Sequence, residues 1–386
     1  MGRWIGPGGR SVWLSYCSNV HPASDLAALE QRIETLWRPV RRLLPGSEPL
    51  GLGLWLPASL VDALLARPAH IDRLRGVLRD AGWVCVGLNA FPYEQFHAPV
   101  VKDAVYRPPW WERERIAYTV AAARVLAALL PEGLEHAAVS TVPLGWRAHA
   151  EQAGSRASIA GASLLEAAGA LEQLERETGR RIRVLLEPEP GCVLERTDEV
   201  LSFLLALCRG HARSAAYDRY LGVCFDCCHQ AVLGESLPDS LRSLFEAGVA
   251  IGRMQLSAAI EGPLEALAPF AEPRYLHQCV AVDATARADD LPLALADPRL
   301  AGRRVRAHFH VPVFERCAAP EVQTTAGALG PALDEVLRWP EPPALEIETY
   351  TWSVLPGAPA GPSPEGIAAE WRHVAGLLAE RGWRAA

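Results

Sequence analysis

Short apolar runs recur along the chain, each followed by a longer stretch with helical spacing. The strand-like runs are Val12–Ser18, Leu50–Trp55, Trp83–Asn89, Ala137–Thr141, Ile182–Glu187, Gly222–Asp226, Ala250–Ser257, Val305–Val311 and Ala344–Thr349. The spacing between them predicts helices over 24–43, 58–81, 113–130, 156–179, 196–210, 237–247 and 328–338, with a last helix over 366–382. Strands apolar on both faces, alternating with helices, describe a parallel sheet covered by helices. Eight or so such units along 386 residues favour a (β/α)8 TIM barrel over an open doubly wound sheet. No GxGxxG, GxxxxGKS or GxxxxGKT follows the first strand, which also argues against an open nucleotide-binding sheet.

One stretch breaks the rhythm. Between Ser257 and Arg304 the chain is longer and less regular than a barrel loop requires, and it carries YLHQCVAVDATARADDLP. It is expected to be an insertion over 258–303, lying above the mouth of a single barrel domain that takes in residues 1–386. The run LPGAPAGPSPEG, 355–366, reads as a Pro/Gly loop before the last helix.

Composition narrows the partners. Half of the residues are hydrophobic, enough for one large barrel or two ordinary domains. The formal net charge is −7, and Lys102 is the only lysine among 38 basic residues. Arginine is scattered rather than striped, so nucleic acid is not an expected partner. The N-terminus MGRWIGPGGRSVWLSYC lacks the apolar core of a signal peptide and the myristoylation pattern. No stretch reaches the roughly 18 to 20 apolar residues that span a bilayer. Nine cysteines without an export signal are expected to be reduced thiols, with the cytoplasm as compartment. Oligomeric state is left open.

In a barrel the C-terminal ends of the strands form the active face. Polar residues collect there: Asn19 and His21 after the first strand, Asn89 after the third, Thr141 after the fourth and Glu187 after the fifth. Asp226 and His229, Gln255, His308, His310 and Glu348 follow. Buried polar groups need partners, and converging carboxylates repel one another unless a cation joins them. A divalent ion held by Glu187, Asp226 and Glu348 removes that cost; oxygen ligands suit Mg2+, Mn2+ or Co2+, and nearby histidine keeps Zn2+ in view. Glu187 competes with Glu189, and Glu348 with Glu346, each two residues away on the same strand face. Position nearer the site favours Glu187 and Glu348. Within LGVCFDCCHQ, Cys224, Cys227 and Cys228 have no second cysteine pair at zinc-site spacing and read as packing residues. The chemistry falls to Asp226 and His229.

GVCFDCCH, with LLEPEPG before it and HFHVP and LEIETYTW after it, resembles the xylose isomerase-like TIM-barrel superfamily of sugar isomerases, epimerases and endonuclease IV. YCSNVHP, LNAFPYEQFHAPVVKDAVYRP, VSTVPLGW, LEPEPGCVLE, HFHVPVF and ETYTW together resemble the EboE-type metabolite traffic proteins most closely, from about residue 12 onward. The resemblance implies four metal ligands, Glu187, Asp226, Gln255 and Glu348, on one divalent ion. It makes Glu187, Glu348 and His229 the catalytic residues, with the two glutamates flanking the substrate carbon. His229 would contact substrate oxygens, and His308 and His310 would bind substrate; strand-end position adds Asn89, and His21 as either a substrate contact or a helix-entry residue. His308 and His310 also stand where some members place an extra metal ligand.

The implied function is a metal-dependent isomerase or epimerase that moves a proton on a sugar, sugar phosphate or cyclitol through an enediolate. A non-catalytic barrel that binds and hands on a metabolite is the alternative. An endonuclease IV-like hydrolase is disfavoured, because its extra ions need histidines at early strand ends, where LWLPAS and STVPLGW have none.

Overall fold

The computed structural model describes residues 2–21, 23–94, 96–154, 156–209, 214–314, 317–357 and 361–386. Eight parallel strands close on themselves: β1 (Ser11–Cys17), β2 (Leu50–Trp55), β3 (Trp83–Asn89), β4 (His136–Thr141), β5 (Arg181–Leu186), β6 (Leu221–Asp226), β7 (Ile251–Leu256) and β8 (Ala344–Ile347). β8 pairs with β7 on one side and with β1 on the other, which completes the ring. The architecture is the (β/α)8 barrel that the alternating pattern implies. Two short antiparallel strands, Arg3–Ile5 and Arg384–Ala385, extend the sheet from β1.

Helices clothe the ring close to their expected bounds, as at Arg113–Leu129, Ala157–Thr178, Leu237–Glu246 and Pro364–Glu380. The segment 58–81 divides into Ala58–Ala66 and Pro68–Asp80. Pro68 has no N–H to continue the first helix, and it holds Arg67 at φ −139°, outside the helical region. The helix expected over 196–210 is described as Thr197–Arg209, with residue 210 outside the described residues. Residues 358–360 of the expected 355–366 loop also lie outside them.

The lumen holds an ion pair where many barrels hold apolar layers. Arg253 of β7 and Glu346 of β8 are both buried and meet at 3.0 Å. Arg253 also donates to the carbonyls of Leu88 and Ala138, and Glu346 accepts from the Ser15 hydroxyl at 3.1 Å. Two glycines make the room: a Cβ on Gly53 would lie 1.7 Å from Glu346 Oε2, and one on Gly87 would lie 2.1 Å from Arg253 Nη2.

Between β7 and β8 the chain builds a second sheet. Six antiparallel strands run in the spatial order 287–288, 279–281, 304–311, 258–263, 322–324 and 317–319. Two expectations change here. Val305–Val311 is a strand, but it pairs in this sheet and not in the barrel. The inserted sheet runs through 324, beyond the expected end at 303. The sheet has its own apolar core, in which Val305, Ala307, Phe309 and Val311 pack with Ile260, Leu267, Phe270 and Leu291. Strand alternation turns His308 and His310 away from that core. They lie against the barrel mouth, where His310 Nδ1 is 3.0 Å from the Glu348 carbonyl.

Candidate metal centre

Three carboxylates from three strand ends converge at the mouth. Glu187 follows β5, Asp226 ends β6 and Glu348 follows β8, and a ligand oxygen of each lies within 4.8 Å of the others. All three are buried. Each has one oxygen that the protein engages poorly or not at all: Glu187 Oε2, Asp226 Oδ2 and Glu348 Oε2 have no hydrogen-bond partner.

The remaining oxygens of two of them are held. Asp226 Oδ1 accepts from the His229 backbone N–H at 2.8 Å, capping the helix Cys227–Val232, and from Ser257 Oγ at 2.9 Å. Glu348 Oε1 accepts from Asn19 Nδ2 at 2.6 Å and from Asn89 Nδ2 at 3.4 Å. Each of the three thus keeps one buried oxygen that no protein group engages. Burial, with repulsion from Asp226 and Glu189, pushes Glu187 up to about 8, although His229 works the other way. Burial, with Glu187 and Asp226 adding repulsion, also holds Glu348 well above the ordinary carboxylate range. Converging buried carboxylates with orphaned oxygens fit a divalent cation.

Gln255 lies beside this group, paired in register with both Asp226 and Glu346. It is fully buried, its Oε1 accepts from Cys224 Sγ at 3.3 Å, and its Nε2 has no partner.

Histidines form an adjoining group. His229 Nδ1 lies 2.9 Å from the Pro188 carbonyl, which assigns the proton to that nitrogen and turns Nε2 toward the carboxylates, 3.8 Å from Asp226 Oδ1. Burial opposes its charged form, but Asp226, Glu189 and Glu187 outweigh burial and raise its pKa. His308 Nδ1 bonds to Gln278 Oε1 at 2.7 Å, and its Nε2 is 3.1 Å from His310 Nε2. Burial, with the neighbouring histidines, holds His308 well below its ordinary value; burial also brings His310 down to about 4. Ligand atoms of Glu189, His229 and His308 lie within 4.8 Å of one another, as do those of Asp226, His229 and His310 and those of Cys228, His308 and His310.

The structure separates the paired candidates. Glu346 is engaged with Arg253 below the mouth, while Glu348 stands at it. Glu189 turns to Tyr106, whose hydroxyl donates at 2.6 Å, and to the His308 side, while Glu187 joins the carboxylate group. Asn89, His308 and His310 are brought to the same centre. His21 is not: its Nε2 accepts from Trp37 Nε1 at 2.8 Å, and it lines a neighbouring crevice instead of the cavity of Glu187 and Glu348. The 3-10 turn Ser18–Val20 causes the difference, placing Asn19 at Glu348 and carrying His21 past the mouth. The three cysteines are buried and free; Cys224 and Cys227 pack, while the Cys228 sulfur also approaches the His308–His310 pair.

Ser257, Tyr106, Gln278 and Tyr350 are supporting residues that the sequence did not single out. Ser257 could have been found two places after Gln255, on the same strand face. Tyr106 and Gln278 meet through 2.8 Å across 172 positions of chain, and no local pattern announces that. The cavity above the carboxylates has a volume of about 50 Å³, and Phe91, Phe96, Val105, Tyr275 and Tyr350 are among the residues that line it.

No protein-family profile matches the sequence, and no curated protein does. Solved structures do match the fold. One is a xylose isomerase-like TIM barrel protein from Mycobacterium smegmatis in complex with magnesium, with 12% identity, TM-score 0.50, and coverage of 98% of this chain and 94% of that one. Another is the IolI protein with a bound zinc atom, with 12% identity, TM-score 0.51, and coverage of 95% of this chain and 98% of that one. The chain has the xylose isomerase-like TIM barrel fold. Among the described residues no helix is long and apolar enough to cross a membrane.

Proposed function

We propose that the protein is a divalent-metal-dependent isomerase or epimerase acting on a sugar, sugar phosphate or cyclitol-type metabolite. The observation that carries this reading is the convergence of Glu187, Asp226 and Glu348 with one unpartnered buried oxygen each. Both fold neighbours are described with a divalent cation, magnesium in one and zinc in the other. Glu187, Asp226 and Glu348 are the ligands of this chain, with Gln255 beside them as the fourth. A bound ion supplies positive charge that offsets the carboxylates and polarises a substrate carbonyl.

The chain's own residues do the rest. One of Glu187 and Glu348, ionised, takes a proton alpha to the carbonyl, and the other, already protonated, donates its own proton to the resulting enediolate. Asn19 and Asn89 hold Glu348 in place, which keeps its reactive oxygen on the substrate side. His229, fixed through Pro188, presents Nε2 to a substrate oxygen. Asn89 and His310 line the same cavity.

The test is proton exchange. Protein loaded with Mn2+ is incubated in D2O with a panel of sugars and cyclitols, and the carbon-bound protons are followed by NMR. At least one ligand is expected to exchange an alpha proton, and Glu187→Gln should abolish that exchange. A ligand that binds saturably with no exchange would overturn catalysis in favour of a carrier.

A further inference from the structure

Beside the carboxylate cavity lies a crevice lined by Val20, His21, Arg32, His97, Arg274 and Ser353, among others. Four chain segments each place one residue on either side of the wall between them. Asn19, Phe96, Tyr275 and Tyr350 face the carboxylate cavity, and His21, His97, Arg274 and Ser353 face the crevice. The wall is closed by aromatic contact: the Phe96 ring centroid lies 5.1 Å from Tyr275 and 5.3 Å from Tyr350.

The crevice is cationic in an acidic protein. No carboxylate lines it among the described residues. Elsewhere arginines find acids, as Arg38 does with Glu34 and Arg113 with Glu166. Arg32 and Arg274 have no ion pair among the described residues. Arg274 donates to Ser353 Oγ at 3.1 Å, and its Nε is buried without a partner. The His97 ring packs edge-on against Trp55 and Phe96, with centroids 5.9 and 5.2 Å apart, and its Nε2 is buried and unpartnered. Burial, with Arg274 adding repulsion, lowers His97 to about 4, so the two arginines carry the positive charge.

We infer that this crevice binds a phosphate-class oxyanion, free or as the ester of a metabolite, through Arg32 and Arg274. Guanidinium groups present several N–H donors in fixed directions, and a tetrahedral oxyanion has the acceptors to use them along with the Ser353 hydroxyl. A carboxylate, with two oxygens, would use fewer. The inference stands apart from the reading of the carboxylate centre.

Chelator-treated protein is titrated with inorganic phosphate by calorimetry. Saturable binding at one site per chain is expected. Arg274→Gln and Arg32→Gln should each weaken it about tenfold, the loss of a charge-assisted hydrogen bond, with unchanged melting temperatures. Arg32 is exposed, so its variant keeps the test open if Arg274→Gln fails to fold. No saturable binding to the wild type, or undiminished binding in both variants, would overturn the site. A hexose 6-phosphate that displaces phosphate where the free hexose does not assigns the ester as ligand. Failure of the ester to displace it assigns the free ion.

Discussion

Glu346 and Glu348 stand two residues apart at the end of one strand, and both are buried. Their surroundings differ in kind. Glu346 meets Arg253 at 3.0 Å and the Ser15 hydroxyl at 3.1 Å, so the chain supplies its counter-charge. Glu348 has two asparagines on one oxygen and nothing on the other, and it faces Glu187 and Asp226. The same residue type on the same strand thus serves two ends. One carboxylate is paired within the fold, and the other has no counter-charge there, as the proposed cation site requires. Gly53 and Gly87 belong to the first arrangement, because side chains there would collide with the pair.

Breaking the internal pair should have the largest effect. Arg253→Met leaves Glu346 buried and unpaired, which should cost about 4 kcal/mol, read from denaturant unfolding. Adding Glu346→Gln should recover part of that loss. Equal stability of the single variant and the wild type would show that the pair does not neutralise Glu346.

The open group should show itself in pH dependence. Glu187 at about 8 and Glu348 above its ordinary value hold protons in the folded state that the unfolded chain releases. The metal-free protein therefore loses stability as pH rises from the ordinary value of 4.5 toward about 8. Mn2+ should flatten or reverse that slope, since the ion replaces the protons. Melting temperatures across this range, with chelator and with Mn2+, check the sign; parallel curves would contradict it.

Smaller effects sharpen the contrast. Asn19→Ala removes the shorter of the two bonds to Glu348 Oε1 and should weaken Mn2+ binding roughly tenfold while leaving the fold intact, measured by calorimetry. Tyr106→Phe removes a bond to Glu189 outside the carboxylate group and should cost only about 1 kcal/mol of stability, with Mn2+ affinity unchanged.

The sequence made much of this legible. Apolar runs located all eight barrel strands, because strands buried on both faces have little freedom in composition. Strand ends then pointed to Glu187, Asp226 and Glu348, and depth along β8 favoured Glu348 over Glu346. Pairing was harder to read. The period of two marks Val305–Val311 as a strand and sets both histidines on one face, but it does not say which sheet the strand joins. His21 was misplaced for a similar reason: distance from a strand end reads as proximity to the mouth until a turn such as Ser18–Val20 redirects the chain. The Glu189–Tyr106–Gln278 contacts join three distant segments and left no local trace.

Metal content measured by elemental analysis, on wild type loaded with Mn2+ and on Asp226→Asn treated alike, addresses the open carboxylate group most directly. About one ion per chain in the wild type, lost in a variant that melts as a folded protein, is the expected result. No ion in the wild type, or the same content in Asp226→Asn, would contradict a metal centre built on Glu187, Asp226 and Glu348.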